Sequence, residues 1–491
     1  EVDAAGIRRQ LEAFTARAVP LGFLLIDDGW YAMRDNELVD TRPDTTKFPD
    51  GLAATVREAK ERFGVRHVGA WHALAGYWCG VHPEHTLPPA VATAVEDSKG
   101  GLIGPPLDEA GAFRFFEAWH RALAEEGIDF VKVDGQGVLH RYARNRRPLA
   151  DAARGVETGL QASAGLHFQG GLLNCMSMRH ELLWNLSASN VTRSSNDYMI
   201  HGVASDPGRH AQVNAANAVY LSQLSWCDFD MWRTDHVHAP FHAALRALSG
   251  GPLYISDPPG VTRPEILSPL VLRDGRLLRC DEVGLPATDC LLVDCVAQRL
   301  PLKLTNRAGA AALIGVFHVS ATDEPISGTL SPGDARGLRG DRFAVLRHGE
   351  RRGRVLGRDE ALGVTLGRTE AAVFAVVPIE RGFAPIGLAS KLVAPKTLSS
   401  WRSRTKMAGS RWTCPSAPAT APSSSSRIDD GPLSARPRAA ALAGRCSGDR
   451  SRRVRRGSGA NGARARSRRG DGVAHARRGV PRGRAAVRAP T

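Results

Sequence analysis

The feature that most constrains the fold is a regular alternation of short apolar runs with longer amphipathic stretches over the first 260 residues. The runs predict strands and the stretches between them predict helices. Strands that alternate with helices form parallel sheets, because each helix returns the chain to the edge where the previous strand began. The predicted helices include Ala5–Ala18, Leu52–Phe63, Ala110–Glu126 and Ala211–Leu224. The seven predicted strands are Phe23–Asp27, His67–Trp71, Ile128–Asp134, Gly171–Cys175, Asn190–Arg193, Cys227–Met231 and Gly251–Asp257.

Polar side chains stand at the ends of nearly all these runs, and they decide between two parallel folds. A doubly wound sheet and a (β/α)8 barrel both fit the alternation, but many strand ends converge on one point only in a barrel. No glycine-rich phosphate loop opens any helix, which argues against a nucleotide-binding sheet. We therefore predict a (β/α)8 TIM barrel in residues 1–262, with its first strand missing from this chain. The strand-end residues are Asp27, Asp28, Trp71, His72, Asp134, Cys175, Arg193, Asp230 and Asp257.

The pattern changes after the barrel. Short alternating segments separated by Gly, Asp and Pro turns predict a small antiparallel β-sandwich domain over residues 263–395. Its predicted strands are Cys290–Val296, Pro301–Thr305, Ala311–His318, Arg342–Arg347, Gly353–Leu356 and Ala371–Pro378.

Residues 396–491 form a tail rich in Arg, Ala, Gly, Ser and Pro, a composition that cannot bury enough apolar surface to offset its ordering entropy. The chain has a net charge of +15, but residues 401–491 hold 22 Lys and Arg against 4 Asp. The remaining residues are therefore close to neutral. A basic arm for RNA and a solvated or out-of-frame tail both fit, and we favour the second because no RNA-binding fold accompanies the tail.

The sequence contains no apolar run of about 18 residues that would span a membrane. No basic region followed by an apolar run marks an export signal, so we expect a cytoplasmic protein.

Two carboxylates at strand ends carry the candidate chemistry. Lys132 and Asp134 are two residues apart on one strand, so both face the same side, where the lysine would keep the aspartate ionised. Asp197 follows Arg193 just beyond another strand end. One carboxylate as nucleophile and one as acid/base is the arrangement of retaining glycoside hydrolysis. The alternative is that each Asp caps a turn or pairs with a neighbouring cation.

Aromatic and acidic residues near these carboxylates suit a sugar. Asp27 and Asp28 offer acceptors for hydroxyl groups, and aromatic rings pack against the C–H face of a pyranose. Any single Trp in this set could instead belong to the core. The aromatic candidates are Trp30, Trp71, His72 and Trp78.

In this order, eight motifs resemble the raffinose synthase, seed imbibition protein and alkaline α-galactosidase group of glycoside hydrolase family 36. They extend over residues 3–390 and read FLLIDDGW, VGAWHALAGYW, GIDFVKVDGQ, NCMSM, RSSNDY, DFDMW, FHAALRALSGGPLYISD and FAPIGL. The resemblance implies a retaining α-galactosyl enzyme on a (β/α)8 barrel with a C-terminal β domain, and no metal or organic cofactor.

The resemblance also implies a role for each candidate. Asp134 would be the nucleophile and Asp197 the acid/base. The remaining residues would bind substrate, with Asp27, Asp28 and Lys132 near O3, O4 and O6, Cys175 and Arg193 near O2, and Trp30, Trp71, His72, Trp78 and Asp230 around the pocket.

The chain departs from the family pattern in three places. Asn196-Asp197 stands where the family usually has two acids, the first barrel strand is missing, and the resemblance ends after FAPIGL. We expect an α-galactosidase acting on raffinose-type α-1,6-galactosides. The alternatives are a galactosyltransferase like raffinose synthase, which moves galactose from galactinol to sucrose, an inactive sugar-binding remnant, and nucleic-acid binding through the tail.

Overall fold

A computed structural model of the chain describes residues 2–97, 102–198 and 206–398. Its helices are α1 (Ala4–Ala16), α2 (Gly51–Glu61), α3 (Pro89–Ala92), α4 (Glu109–Glu125), α5 (Leu139–Ala143), α6 (Leu149–Phe168), α7 (His180–Leu183), α8 (Pro207–Leu221), α9 (Ala239–Ser249) and α10 (Pro264–Leu267). Its strands in the first half are β1 (Phe23–Ile26), β2 (Tyr31–Arg34), β3 (Glu37–Pro43), β4 (His67–Ala73), β5 (Glu96–Asp97), β6 (Ile103–Gly104), β7 (Phe130–Asp134), β8 (Leu172–Asn174), β9 (Val191–Arg193) and β10 (Trp226–Asp228). The later strands are β11 (Leu285–Pro286), β12 (Leu302–Ala308), β13 (Ala311–Phe317), β14 (Ile326–Leu330), β15 (Arg342–Arg347), β16 (Arg354–Gly357), β17 (Leu362–Leu366) and β18 (Ala371–Pro378).

The first half of the chain is built around a parallel sheet with the strand order β1-β4-β7-β8-β9-β10. Each of these strands overlaps a predicted one, and helices lie between them along the chain, so the barrel prediction is confirmed. The seventh predicted strand is not continuous, since Ile255 makes a single parallel bridge to Trp232. The strand predicted at Cys227–Met231 ends earlier in the structure. It corresponds to β10, which ends at Asp228 because Asp230 adopts a left-handed backbone with φ of +77°. The expectation of a missing first strand stays a prediction.

The second half contains an antiparallel sheet with the order β11-β12-β13-β18-β15-β16. A two-stranded sheet of β14 and β17 packs against one face, where the two sheets share a buried cluster that includes Ile314, Leu330, Val364 and Phe374. This is the predicted β-sandwich. Strands β14 and β17 were not predicted from the sequence, and the strand predicted at Cys290–Val296 is wrong, because the chain makes turns there.

Helix α9 links the two halves. It lies against β12, β13 and β18, and Phe241, Leu245 and Leu248 share one apolar cluster with Leu313 and Phe317 of the sandwich. This core therefore crosses residue 262. The domain boundaries predicted at 262 and 395 stay predictions. Residues 396–398 of the predicted tail end a short 3-10 helix, Ala394–Leu398, in which Thr397 is buried, and the rest of the tail lies outside the described residues. Among the residues that the structure describes, no helix is both long and apolar enough to cross a bilayer.

Candidate active site

Strand register brings the first group of candidate residues together. In the parallel pairing of β4 with β7, Trp71 stands opposite Lys132, and Ala73 stands opposite Asp134. Residues two apart on a strand face the same side, so Trp71, Lys132 and Asp134 all point toward the interior of the barrel. The Lys132 Nζ lies 3.2 Å from an Oδ of Asp27, which follows β1 directly. Four predicted site residues therefore meet at the C-terminal ends of three neighbouring strands.

Asp134 is 6% exposed, and both of its oxygens have donors. The Trp71 Nε1 donates to Oδ2 at 3.1 Å, and the backbone N–H of Gly135 donates to Oδ1 at 2.6 Å. The Cys175 thiol also hydrogen-bonds to Asp134, and burial raises the pKa of that thiol well above its usual range. Three donors thus hold the Asp134 carboxylate, and one of them is the neutral Cys175 thiol.

Lys132 supplies the positive charge of this group. Its side chain is almost fully buried, which lowers its pKa, but the carboxylates of Asp27 and Asp134 outweigh that effect. The pKa of Lys132 is raised, so the ammonium stays protonated beside two aspartates.

Asp28 faces the aromatic part of the site. The Tyr77 hydroxyl donates to its Oδ2 at 3.1 Å, and the Trp78 Nε1 lies 3.4 Å from the same oxygen. Its Oδ1 is buried and has no hydrogen-bond partner among the described residues. Burial raises the pKa of Asp28, although its hydrogen bonds to Tyr77 and Trp78 oppose the shift. An unsatisfied buried carboxylate oxygen is suited to accept a ligand hydroxyl.

Arg193 organises a second group of carboxylates. Its guanidinium is 1% exposed, and Nη1 donates to Asp197 Oδ1 at 2.6 Å and contacts Asp230 Oδ1 at 2.8 Å. Its Nε reaches Asp228 Oδ2 at 3.3 Å, and that oxygen also accepts the Tyr254 hydroxyl at 2.7 Å. The Asp197 side chain is 53% exposed, whereas Asp228 and Asp230 are buried. Arg193 thus leaves one of its three carboxylates open to solvent.

Cys175 connects the two groups. Its thiol is near enough to Arg193, Asp134 and Lys132 for the charge of each to affect its pKa. The group around Asp134 and the group around Asp197 therefore form one continuous polar region.

Two predicted substrate-binding residues lie elsewhere. His72 is next to Trp71 on β4, so the alternation of the strand turns it outward, where its Nε2 lies 2.9 Å from the Nε2 of His120 on α4. Burial lowers the pKa of His72 to about 4, so this imidazole is neutral. Trp30 is fully buried, and its Nε1 donates to the Trp71 carbonyl at 2.8 Å. Both side chains lie in the core and offer no face to a ligand.

Asp230 also differs from its predicted role. Its Oδ1 accepts the backbone N–H of Met231 and contacts Arg193, and its Oδ2 accepts the backbone N–H of Tyr198. Because Asp230 is 1% exposed and its Oδ2 accepts a backbone N–H of the loop after Asp197, it holds that loop and does not face a ligand.

Asp228 and Tyr254 were not predicted as site residues from the sequence. Asp228 is the last residue of β10 and thus a strand-end acid like the others, which is the signal that could have revealed it. Within the described parts of the chain, no cluster of three His, Cys, Asp or Glu side chains could hold a metal ion.

The fold and the site define a class: a (β/α)8 barrel with acidic and aromatic side chains at the C-terminal ends of its strands, followed by a β-sandwich. Residues 39–323 match the model of the family described as raffinose synthase or seed imbibition protein Sip1. Since this match covers more than half of the 491 residues, the chain belongs to that family.

Relatives with assigned names agree with this membership. The chain is 30% identical over 460 residues to the probable galactinol–sucrose galactosyltransferase 6 of Arabidopsis thaliana, covering 79% of this chain and 60% of that protein. It is also 30% identical to the galactinol–sucrose galactosyltransferase of rice, Oryza sativa subsp. japonica, over 79% of this chain and 59% of that protein. Stachyose synthase of Pisum sativum is 30% identical over 55% of this chain and 34% of that protein. The chain spans about 60% of the length of the first two relatives.

Solved structures share the fold at low identity. A β-L-arabinopyranosidase from Geobacillus stearothermophilus superposes with a TM-score of 0.53 and 13% identity, covering 77% of this chain and 93% of that one. An α-galactosidase from Saccharomyces cerevisiae gives a TM-score of 0.51 and 12% identity, covering 77% and 94%. These similarities support the fold prediction.

Proposed function

We propose that this chain is a retaining galactosyltransferase that moves an α-galactosyl group from a galactinol-like donor to a sugar hydroxyl. The observation that carries the proposal is the pair of carboxylates in different surroundings. Asp134 is buried and fixed by Trp71 and Gly135, whereas Asp197 is half exposed and held by Arg193. A fixed, shielded carboxylate suits a nucleophile, and an accessible one suits an acid/base that must exchange protons with successive substrates.

The reaction has two steps. In the first, an Asp134 oxygen attacks the anomeric carbon, the bond from that carbon to the leaving oxygen breaks, and Asp197 gives its proton to that oxygen. The product is a β-galactosyl ester of Asp134. In the second, an acceptor hydroxyl attacks the same carbon, Asp197 takes its proton, and the ester bond breaks to return Asp134 as a carboxylate. Two inversions restore the α configuration.

The surrounding residues would bind the galactosyl group. Asp28 has an unpartnered buried oxygen for a hydroxyl, and Asp27 is half exposed beside Lys132. Trp78 is partly exposed between Trp71 and Asp28, and its ring would pack against the apolar face of the sugar.

Transfer is favoured over hydrolysis by the names of the relatives, which are galactosyltransferases and a stachyose synthase. This reverses the expectation of an α-galactosidase as the main activity. Both reactions share the galactosyl ester and differ in whether a sugar hydroxyl or water reaches it.

The proposal is tested by incubating the chain with galactinol and sucrose and measuring raffinose against free galactose. We expect raffinose as the main product, whereas galactose alone would show a hydrolase. With azide present, Asp134→Gly should produce β-galactosyl azide from an activated aryl α-galactoside, because azide takes the place of the carboxylate.

Asp129→Asn is the matched control, because Asp129 precedes β7 at its opposite end, where it accepts the backbone N–H of Val68. It should retain transfer. If Asp134→Gly kept the activity of the unchanged chain, Asp134 could not be the nucleophile.

A further inference from the structure

A buried arginine lies behind the second group of carboxylates. Arg246 is on α9, is 3% exposed, and has none of the predicted roles. Its Nε donates to the backbone carbonyl of Asp230 at 3.2 Å, and its Nη2 donates to that of Met231 at 3.0 Å. Burying a guanidinium is costly unless hydrogen bonds compensate, so this one needs a structural or functional reason.

Two histidines complete the surroundings of this guanidinium. The Arg246 Nη1 lies 2.6 Å from His242 Nδ1, one helical turn earlier on α9, and its Nη2 lies 3.3 Å from His210 Nε2. Burial lowers the pKa of both imidazoles well below the usual range, so they are neutral. Arg has only donors, so His242 Nδ1 must be the acceptor and its proton must lie on Nε2. Burial also lowers the pKa of Arg246 to about 10, which leaves it charged at neutral pH.

The carbonyls that Arg246 holds belong to a strained loop. Asp230 has a φ of +77°, a left-handed conformation that residues other than glycine seldom adopt. Two donors from one rigid guanidinium fix the two peptide groups of this turn. This left-handed turn then sets the direction of the Asp230 side chain.

Asp230 connects this loop to Asp197. Its Oδ2 accepts the backbone N–H of Tyr198, the residue directly after Asp197, and its Oδ1 contacts the same Arg193 Nη1 that donates to Asp197. A second link passes through rings, because the His242 imidazole lies 4.1 Å from the Tyr198 ring, centroid to centroid. Arg246 thus reaches Tyr198, the residue beside Asp197, by two routes.

We propose that Arg246 and His242 are positioning residues that fix Asp197 for proton transfer. The proposal rests on the proposed function, in which Asp197 protonates the leaving oxygen. The guanidinium holds the left-handed turn, the turn aims Asp230, and Asp230 orients both the Tyr198 N–H and Arg193. Among the described residues, a hydrogen bond from Arg193 holds the half-exposed Asp197 side chain, so its alignment depends on this support.

The test compares two donors whose leaving groups differ in their need for a proton. A sugar leaving group needs a proton from Asp197, whereas 2,4-dinitrophenolate leaves without one, so kcat/KM for the two donors separates loss of proton transfer from general damage. For Arg246→Met we expect kcat/KM with galactinol to fall roughly 10- to 100-fold, less than the full contribution of general acid catalysis because Asp197 itself remains. With dinitrophenyl α-galactoside we expect kcat/KM to fall less than about 5-fold. Arg246→Lys should recover part of the galactinol activity, because an ammonium keeps the charge and can reach one carbonyl.

The matched control is Lys303→Met. Lys303 is also a buried cation, but it contacts Asp289 and Asp334 in the sandwich region, so its removal should affect the two donors equally. His242→Ala serves if Arg246→Met does not fold, and it should show the same dependence on leaving group. Equal losses with both donors in the folded Arg246 or His242 variants would overturn the positioning role and leave the proposed function intact. If the unchanged chain turned over neither donor, the proposed function would fail, and this role with it.

Discussion

The hydrogen bond from Trp71 to Asp134 gives a sharp prediction. Trp71→Phe removes the Nε1 donor while keeping an aromatic ring in a site that is 1% exposed. A hydrogen bond to a charged group contributes about 1.5 to 3 kcal/mol. If its loss lets the buried carboxylate leave its reactive orientation, kcat/KM should fall by roughly 10- to 150-fold, since about 1.4 kcal/mol corresponds to a factor of ten.

The same substitution also removes part of a buried ring, so packing must be separated from hydrogen bonding. Trp119→Phe is the control: Trp119 is fully buried on α4, and its Nε1 has no hydrogen-bond partner among the described residues. Both variants should lower the free energy of unfolding by about 1 to 3 kcal/mol, as core substitutions commonly do. The assay is kcat/KM with an activated aryl α-galactoside, with denaturant unfolding alongside. Equal losses of kcat/KM in the two variants would refute the role given to the Trp71 hydrogen bond.

Two further predictions concern buried titratable groups. The pKa of His72 is lowered from 6.5 to about 4 by burial, so the unfolded chain takes up a proton first as the pH falls, and stability decreases from about pH 6.5 toward pH 4. For this residue alone the loss is about 3 kcal/mol, and urea titrations at several pH values should show a weaker pH dependence for His72→Gln. Lys132→Met leaves Asp27 without its cationic partner. Because Asp27 is partly exposed, we expect the free energy of unfolding to fall by only about 1 to 2 kcal/mol. We expect kcat/KM to fall by at least roughly 100-fold. An unchanged kcat/KM in Lys132→Met would remove the lysine from the site.

Much of the site was predictable because strand ends are visible in a sequence. The apolar run that ends in Lys132 and Asp134 predicted both the strand and its inward face. The structure places both residues on one side, as the two-residue alternation of a strand requires. The same period explains an error, since Trp71 and His72 are neighbours on one strand and cannot face the same side. Recognising an aromatic residue near an acid did not distinguish a pocket wall from the core, which is why Trp30 was misplaced.

The positioning residues were harder to find for a physical reason. Arg246 and His242 lie on a helix that reads as apolar, and their importance comes from contacts with a loop 15 residues or so away. An arginine four residues after a histidine on an otherwise apolar helix was the available signal. Its meaning depends on the left-handed turn at Asp230, which no local pattern predicts.

A covalent galactosyl ester at Asp134 is the central intermediate of the proposed reaction. The direct measurement is to incubate the chain with 5-fluoro-α-galactosyl fluoride, whose fluorine slows release of the ester, and to locate the added mass by peptide mass spectrometry. We predict one fluorogalactosyl group on the peptide that contains Asp134, and none in Asp134→Asn. A labelled residue other than Asp134, or turnover of galactinol without any label, would contradict the central claim.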